Sequence, residues 1–492
     1  MADDRKWQGL MSRTAKRVAN NLGIVSGDQT GKVRKFRRDQ LEKLDAYYEG
    51  RQYDHLMSWE DANTLGANGE SYIPIRQRRP RMQLSFAKVL CQRVASKLVG
   101  RSAFPKLHVE DDPDTTQFLQ LILKVSKLKS EILEPVRRML GAGSSFIRFF
   151  FVEGSLKIES YNSKYCYPTF TPTGDLETIS IKYVFEDPNE LDDRGKPVKK
   201  WFRLDLSTMA DIEFDTPSYS PTTEPIFEES ARHEHGLGIV QGQWFRTSKN
   251  KHVPDGYSLI EDIFDFIDEL NYNFSQSSNA VSYNQDPQLA INGMDVDELD
   301  ALVRSSAKAW NLGRDGKANF LETDLNGVQI ASDLREKVRL NIQDIARVVL
   351  MDPEKIVGHA QSGSALEILH GPMVELIDEL RSMIEEDIIG LVSKISMTYL
   401  ILINAGVEMG ISIPAGWAPK SFNISAIWSP VFPQTIEDLQ KKVALAVSVS
   451  SGNLISRETM TRWLAKDFDI EDIEAELAKI ANQPILNPFG TF

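Results

Sequence analysis

Two long amphipathic helical patterns constrain the fold of this chain more than anything else in it. Over residues 258–283, Ile260, Ile263/Phe264, Ile267, Leu270 and Phe274 recur on one stripe, while Glu261, Asp265 and Asp268 lie on another. A helix of that length spans about 39 Å. Over residues 327–351, Leu334, Val338, Ile342, Ile345 and Val349 share a face, and Asp352-Pro353 ends the pattern. Only short elements stand between the two: strands at 288–292 and 318–322 and a helix at 296–309. Neither long helix has enough chain around it to bury its stripe alone. Neighbouring copies of the chain are therefore expected to cover it.

The rest of the chain alternates between helix-rich and strand-rich stretches. Residues 38–50 and 86–99 read as helices closed by Gly50 and Gly100. Residues 51–82 read as irregular, and residues 115–140 as one or two helices. Strand-like runs follow at 146–152, 156–160, 178–185, 200–205 and 239–245, with turns expected at Asp187-Pro188-Asn189 and Asp193-Arg194-Gly195. Residues 365–405 form a long helical pattern, with interruptions expected at Gly371-Pro372 and Gly390. A strand at 422–428, the linker Ser429-Pro430-Val431-Phe432-Pro433, and helices at about 435–450, 457–467 and 470–481 complete the chain. The fold class is α+β, mainly helical. Hydrophobic residues make up 41% of the 492, enough for a large core. Residues 388–403 are the most apolar stretch. Lys394 interrupts it, so it reads as a buried helix and no membrane span is expected. The start, Met1-Ala2-Asp3-Asp4, carries no apolar leader pattern.

Charge distribution says more than the net charge of −13. Residues 1–100 hold 19 basic and 11 acidic side chains, with basic clusters at 13–17 and 32–38 and a further run at Arg76, Arg78, Arg79 and Arg81. Residues 1–38 are expected to form a peripheral arm. Residues 251–300 hold one basic and eleven acidic side chains. Tight duplex binding needs phosphate-neutralising Lys and Arg. This balance suits a protein that lets DNA slide past. The two cysteines, Cys91 and Cys166, form no CxxC pair, which argues against a zinc ribbon or disulfide scaffold.

No enzyme signature is complete. Gly141-Ala142-Gly143-Ser144-Ser145 is not followed by Gly-Lys-Ser/Thr, so a helix-to-strand turn is expected in place of a phosphate loop. The glycines at 236, 238 and 242 lack dinucleotide spacing. His233-Glu234-His235 offers two metal ligands without matching partners, and a solvated loop is expected. Asp211, Glu213 and Asp215 alternate like an exposed strand edge, with a two-carboxylate catalytic pair as the alternative. No cofactor and no catalytic residue is assigned. The acidic stripe Glu261, Asp265, Asp268 is read either as a solvated face or as a channel wall. Arg335 and Arg339, four residues apart, share a face and either line the channel or pair with acids of a neighbouring subunit.

Several joints resemble those of the portal proteins of tailed bacteriophages. They are Tyr47-Tyr48-Glu49-Gly50; Ala87-Lys88-Val89 with Val94-Ala95-Ser96-Lys97-Leu98-Val99-Gly100; and Leu140-Gly141 with Phe146-Ile147-Arg148. Further along stand Tyr257-Ser258-Leu259-Ile260-Glu261-Asp262 continuing to Asp268-Glu269-Leu270-Asn271-Tyr272-Asn273-Phe274-Ser275, then Gln361-Ser362-Gly363-Ser364-Ala365-Leu366. Trp428-Ser429-Pro430-Val431-Phe432-Pro433 and Gly452-Asn453-Leu454-Ile455-Ser456 close the series. Their order covers about residues 40–465.

The resemblance implies a head-to-tail connector of the siphophage type: a ring, usually a dodecamer, at one capsid vertex, through which double-stranded DNA is packaged and ejected. It implies a basic arm at 1–39, a wing at 40–257 and 364–433, and stem helices at 258–285 and 327–351. It places a clip at 286–326, a tunnel loop at 352–363, a crown at 434–482 and a tail at 483–492. Val357, Gly358, His359, Ala360, Gln361 and Ser362 of the tunnel loop would touch DNA. The implied partners are the terminase large subunit, the head–tail adaptor, and the major capsid and scaffolding proteins. Assembly would occur in the host cytoplasm and the product would reside in the virion. The alternative is a nuclease or ATPase of the packaging machinery.

Overall fold

The structure is a computed structural model. It describes residues 30–67, 72–110, 112–220, 225–249, 253–285, 288–292, 317–321, 326–349, 370–407, 423–432, 436–451, 455–465 and 473–482. The chain divides into two compact units, one of residues 1–348 with 377–428, the other of 349–376 with 429–492.

The first unit opens with helix α1 (Thr30–Glu49), which starts eight residues before the helical pattern was expected to begin. Helix α2 (Trp59–Ala67) lies in the stretch read as irregular. Its start carries a cap that the sequence displays: Ser58 Oγ accepts from the Asp61 backbone N–H at 3.1 Å, and Ser58 Oγ–H donates to Asp61 Oδ2 at 2.6 Å. Helix α3 (Phe86–Val99) matches its expected bounds and buries Leu90, Cys91, Val94, Leu98 and Val99. Strand β1 (Lys106–Val109) follows, then α4 (Pro113–Val125), the single turn α5 (Leu128–Glu131) and α6 (Leu133–Ala142).

Gly143 makes the expected helix-to-strand turn. Its φ of +86° is a left-handed angle, and a Cβ there would stand 2.5 Å from the Gly256 carbonyl oxygen. Strands β2 (Ser144–Val152), β3 (Ser155–Asn162), β4 (Cys166–Phe170), β5 (Leu176–Leu191), β6 (Pro197–Ser207), β7 (Ala210–Phe214), β8 (Glu229–Glu234) and β9 (Gly242–Arg246) then build two antiparallel sheets. Their orders are β3-β2-β9 and β4-β5-β6-β7-β8. The period-two apolar residues Ile179, Ile181, Leu204 and Leu206 of the larger sheet meet Phe146 and Trp244 of the smaller in one buried cluster. Asp187-Pro188-Asn189, expected as a turn, lies inside β5 at a register shift, while the expected turn at Asp193-Arg194-Gly195 forms and closes the hairpin at residues 192–196.

The first long amphipathic pattern folds as a short 3-10 turn (Glu261–Ile263) and helix α7 (Phe264–Gln285). Strands β10 (Gln288–Asn292) and β11 (Lys317–Leu321) pair antiparallel. The helix expected at 296–309 lies outside the described residues. The second pattern folds as α8 (Asn326–Ala346), which packs on α7. It stops short of Asp352-Pro353 because Arg347 turns left-handed at φ +53° and the Val348 N–H reaches back to the Gln343 carbonyl at 3.0 Å.

The expectation that neither stripe is buried within one subunit holds only in part. Ile260, Ile263, Phe264, Ile267 and Leu270 are buried, as are Val338, Ile342 and Ala346. Ile330 is 69% exposed and Leu334 43%.

Helix α9 (Gly371–Asn404) runs unbroken through Gly390. Pro372 falls in its first turn, where a missing N–H costs no intrahelical bond. Strand β12 (Ile424–Ile427) returns to pair with β1. In the second unit, His370 stacks on Phe432 at 5.2 Å. Helices α10 (Ile436–Ser451), α11 (Arg457–Ala465) and α12 (Ile473–Asn482) follow, with Ala446 and Ala465 buried.

Candidate functional site

The acidic stripe of the first long helix is not uniform. Asp265 is exposed to solvent. Glu261 is half-buried, and its Oε1 accepts from Gln40 at 3.2 Å. Asp268 is a junction between segments: the Tyr47 phenol donates to its Oδ2 at 2.8 Å and the Tyr53 phenol to its Oδ1 at 2.5 Å. Burial, with the Asp268 carboxylate added, pushes both phenols well above their ordinary acidity range. Tyr47 also stacks on Phe264 at 3.8 Å between centroids.

The same side of α7 grips the segment before α3. Asn271 Oδ1 accepts from the Leu84 backbone N–H at 2.8 Å, and Ser275 Oγ accepts from that of Met82 at 3.1 Å. The Tyr272 phenol lies 3.0 Å from the carbonyls of Arg76 and Arg78 and bonds to both. These residues were missed as a functional set. Their signal was a second, polar stripe at helical spacing, 268, 271/272 and 275.

The basic run beside it is consumed within the subunit. Arg76 pairs with Glu269, Arg79 with Asp54 at 3.3 Å, and Arg81 with Glu60 at 3.2 Å. Arg78, 6% exposed, donates to Ile73 O and Asn63 Oδ1 and lies over the Trp59 ring. On α8, Arg335 lies 4.7 Å over the Phe274 ring. Arg339 makes a two-pronged pair with Glu336, one turn away on its own helix, at 3.0 and 2.8 Å. Residues 357–362, Val357 to Ser362, lie outside the described residues.

Two further expectations change. Asp211 is not on an exposed edge: β7 lies between β6 and β8, and Asp211 is 4% exposed, 3.3 Å from Arg148 Nη2 and 3.5 Å from His235 Nε2. Burial raises its pKa. Glu213 is exposed, so the two carboxylates do not share one environment. His235 lies in the loop after β8 but is not solvated: its side chain is 12% exposed, and its Nδ1 accepts from the Leu237 N–H at 3.2 Å. His233 is exposed. Among the described residues no three metal-ligating side chains converge, and none of the helices is long and apolar enough to cross a membrane.

The arm also departs from expectation at its inner end. Arg37 binds both oxygens of Asp255, at 2.6 and 2.9 Å, and donates to the Cys166 carbonyl at 2.8 Å. It reads from sequence as one more member of a basic cluster, yet it is an anchor of the first unit.

The profile of the SPP1 Gp6-like phage portal proteins matches residues 32–483. The chain belongs to this family. Its role is therefore that of a phage portal protein, a head–tail connector component of the virion, and the family is structural rather than enzymatic. No curated protein matches the chain. Among solved structures it is similar to a chain of the neck of the native GTA particle computed with C12 symmetry. The identity is 11% and the TM-score 0.36, over 83% of this chain and 94% of that one. It is also similar to a chain of the virion of the native gene transfer agent particle, at 10% identity and TM-score 0.40, over 82% of this chain and 98% of that one.

Proposed function

We propose that copies of this chain close into a ring, a dodecamer, at one capsid vertex, and that double-stranded DNA passes through its centre. The observation that carries the reading is the family match over residues 32–483. The apolar stripe of α8 agrees with it: Val338 and Ile342 are buried on α7, while Leu334 and Ile330, four and eight residues before Val338, continue the stripe into solvent. A neighbouring copy is the partner that would cover them.

In this reading residues 40–257 and 364–433 are the wing, 258–285 and 327–351 the stem, 286–326 the clip and 434–482 the crown. The clip docks the terminase large subunit and then the head–tail adaptor, and the ring meets the major capsid and scaffolding proteins during assembly in the host cytoplasm. DNA slides without tight binding, since 251–300 is strongly acidic and the four arginines at 76–81 are already engaged. The loop 352–363 is proposed to reach the duplex through Val357, Gly358, His359, Ala360, Gln361 and Ser362.

The test is light scattering after size exclusion, with electron micrographs of the same fraction and ATPase and nuclease assays beside them. A ring-sized particle without turnover is expected. A chain that stays monomeric at every concentration, with and without capsid proteins, overturns the reading. Turnover by the purified chain favours the packaging-enzyme alternative.

A further inference from the structure

Strand β8 is an edge of the five-stranded sheet: among the described residues it pairs only with β7. All of its side chains except Ala231 are exposed. The chain leading into it presents Ile226, which at 90% is the most exposed large apolar side chain among the described residues. Its neighbours fix it there. Phe227 sits 6.4 Å from Trp201 and 6.3 Å from Phe214 between ring centroids, with Lys182 4.7 Å and Arg203 5.3 Å from its ring. One residue on, the Glu228 N–H donates to Asp215 Oδ1 and the Glu228 carbonyl accepts from the Asp215 N–H, both at 2.9 Å. Ile226 is therefore held in water by an anchored backbone, where hydrated apolar surface is unfavourable. At the far end of the strand stands Met209, 63% exposed, whose carbonyl accepts from the His235 and Gly236 N–H groups at 3.0 and 3.1 Å.

Between these two apolar ends the edge is acidic. Residues 213–234 hold six acidic side chains and one basic, Arg232, which Glu229 already takes at 2.7 Å. Glu213, Glu228 and Glu234 are exposed. The cations of the adjoining face are engaged, Arg203 with Asp205 at 2.7 Å and Lys182 over the rings of Trp201 and Phe227. An acidic strip with apolar ends fits a basic segment that carries apolar residues beside its charges. Such a segment lies within residues 1–29, outside the described residues. Residues 5–27 hold five basic side chains and no acidic one, with Trp7, Leu10 and Met11 just ahead of Arg13, Lys16 and Arg17.

Reach favours the same subunit. Arg37 of α1 donates to the Cys166 carbonyl of β4, the opposite edge of the same sheet. Four strand spacings, about 19 Å, separate β4 from β8. The seven residues from Arg37 back to Thr30 add about 10 Å of helix. From Thr30, the thirteen residues to Arg17 span up to about 43 Å, enough to cross. A segment tethered so closely meets its own sheet at an effective concentration that no second copy matches in dilute solution. We propose that the basic segment 5–17 docks on the β8 edge of its own sheet, its charges on Glu228, Glu229 and Glu234 and its apolar residues on Ile226. The arm is then a strap across the sheet. The inference concerns the single subunit and stands whether or not the ring reading holds.

The experiment uses the full chain. Trypsin cuts after Arg13, Lys16 and Arg17, and cleavage of a docked segment tracks the fraction of time it is free. The arm is expected to be cut about tenfold more slowly than a free peptide of residues 1–29. Ile226→Asp and, separately, Glu228→Lys with Glu234→Lys should each restore most of that rate; both variants change exposed side chains, so the fold is kept. A carbodiimide, which joins an ammonium to a carboxylate in contact with it, should link Lys6 or Lys16 to Glu228, Glu229 or Glu234 in a product that runs as a single chain on a denaturing gel. Cleavage as fast as that of the free peptide overturns the proposal, as does slow cleavage that neither variant changes. Links that join two chains move the segment to a neighbouring copy, and protection that needs added DNA assigns it to nucleic acid; either result also overturns it.

Discussion

Asp268 is where the solvated-face reading of helix α7 and its structure part most sharply, and Asp268→Ala measures the difference. The substitution removes one carboxylate and leaves two phenols, of which Tyr53 is 4% exposed, without their acceptor. Hydrogen bonds to a charged group are worth about 1.5–3 kcal/mol each, and a buried donor left unmade adds its desolvation cost. Asp268 is itself half-buried, so a loss of about 2–4 kcal/mol for the two together is the working figure. The assay is urea unfolding of the full chain followed by tryptophan fluorescence, with ring assembly scored separately. A cycle with Tyr47→Phe and Tyr53→Phe isolates the contact. In that background Asp268→Ala should cost at least about 1 kcal/mol less, because the partners are already gone. Both phenol pKa values are raised, so their contribution is fully present below about pH 10 and is lost as pH rises through the folded values. A cost under about 0.5 kcal/mol together with an additive cycle would show that Asp268 only faces solvent.

Two more outcomes follow from the same geometry and from the ring reading. Arg37→Met should destabilise the first unit by about 2–4 kcal/mol in the same unfolding assay, because it leaves Asp255 with the Ser144 hydroxyl but no cation beside the buried Ser163–Cys166 turn; a neutral result would return residue 37 to a peripheral arm. Replacing Gly358 and Gly363 with Ala, or deleting 358–361, should leave rings intact and lower DNA packaging, and rings that package at the parental level would remove the loop from the DNA path.

Much of the secondary structure was legible because it is written in local period. The strand-like runs at 146–152 and 200–205 fall within β2 and β6, α3 ends at its glycine, and β10 has its expected bounds, since alternation at two or 3.6 residues is imposed by backbone geometry alone. The long helix 371–404 was read as broken at Gly390 because isolated glycine lowers helix propensity. The side chain that a Cβ at this position would crowd, Gln243, is 147 residues away. The same reason governs the charges. Sequence showed that residues 76–81 are basic and that 261–268 carry an acidic stripe, but periodicity places a side chain on a face without saying what meets it. Arg37 finds Asp255 across 218 positions, Tyr53 finds Asp268 across 215, and Gln243 finds Asp387 across 144. Pairings at such separations depend on which elements the chain brings together when it buries its apolar surface. The sequence by itself therefore determined many of the elements, their order and the family. The tertiary structure alone decided which charges are solvated and which, like Asp387, are buried against partners from distant parts of the chain.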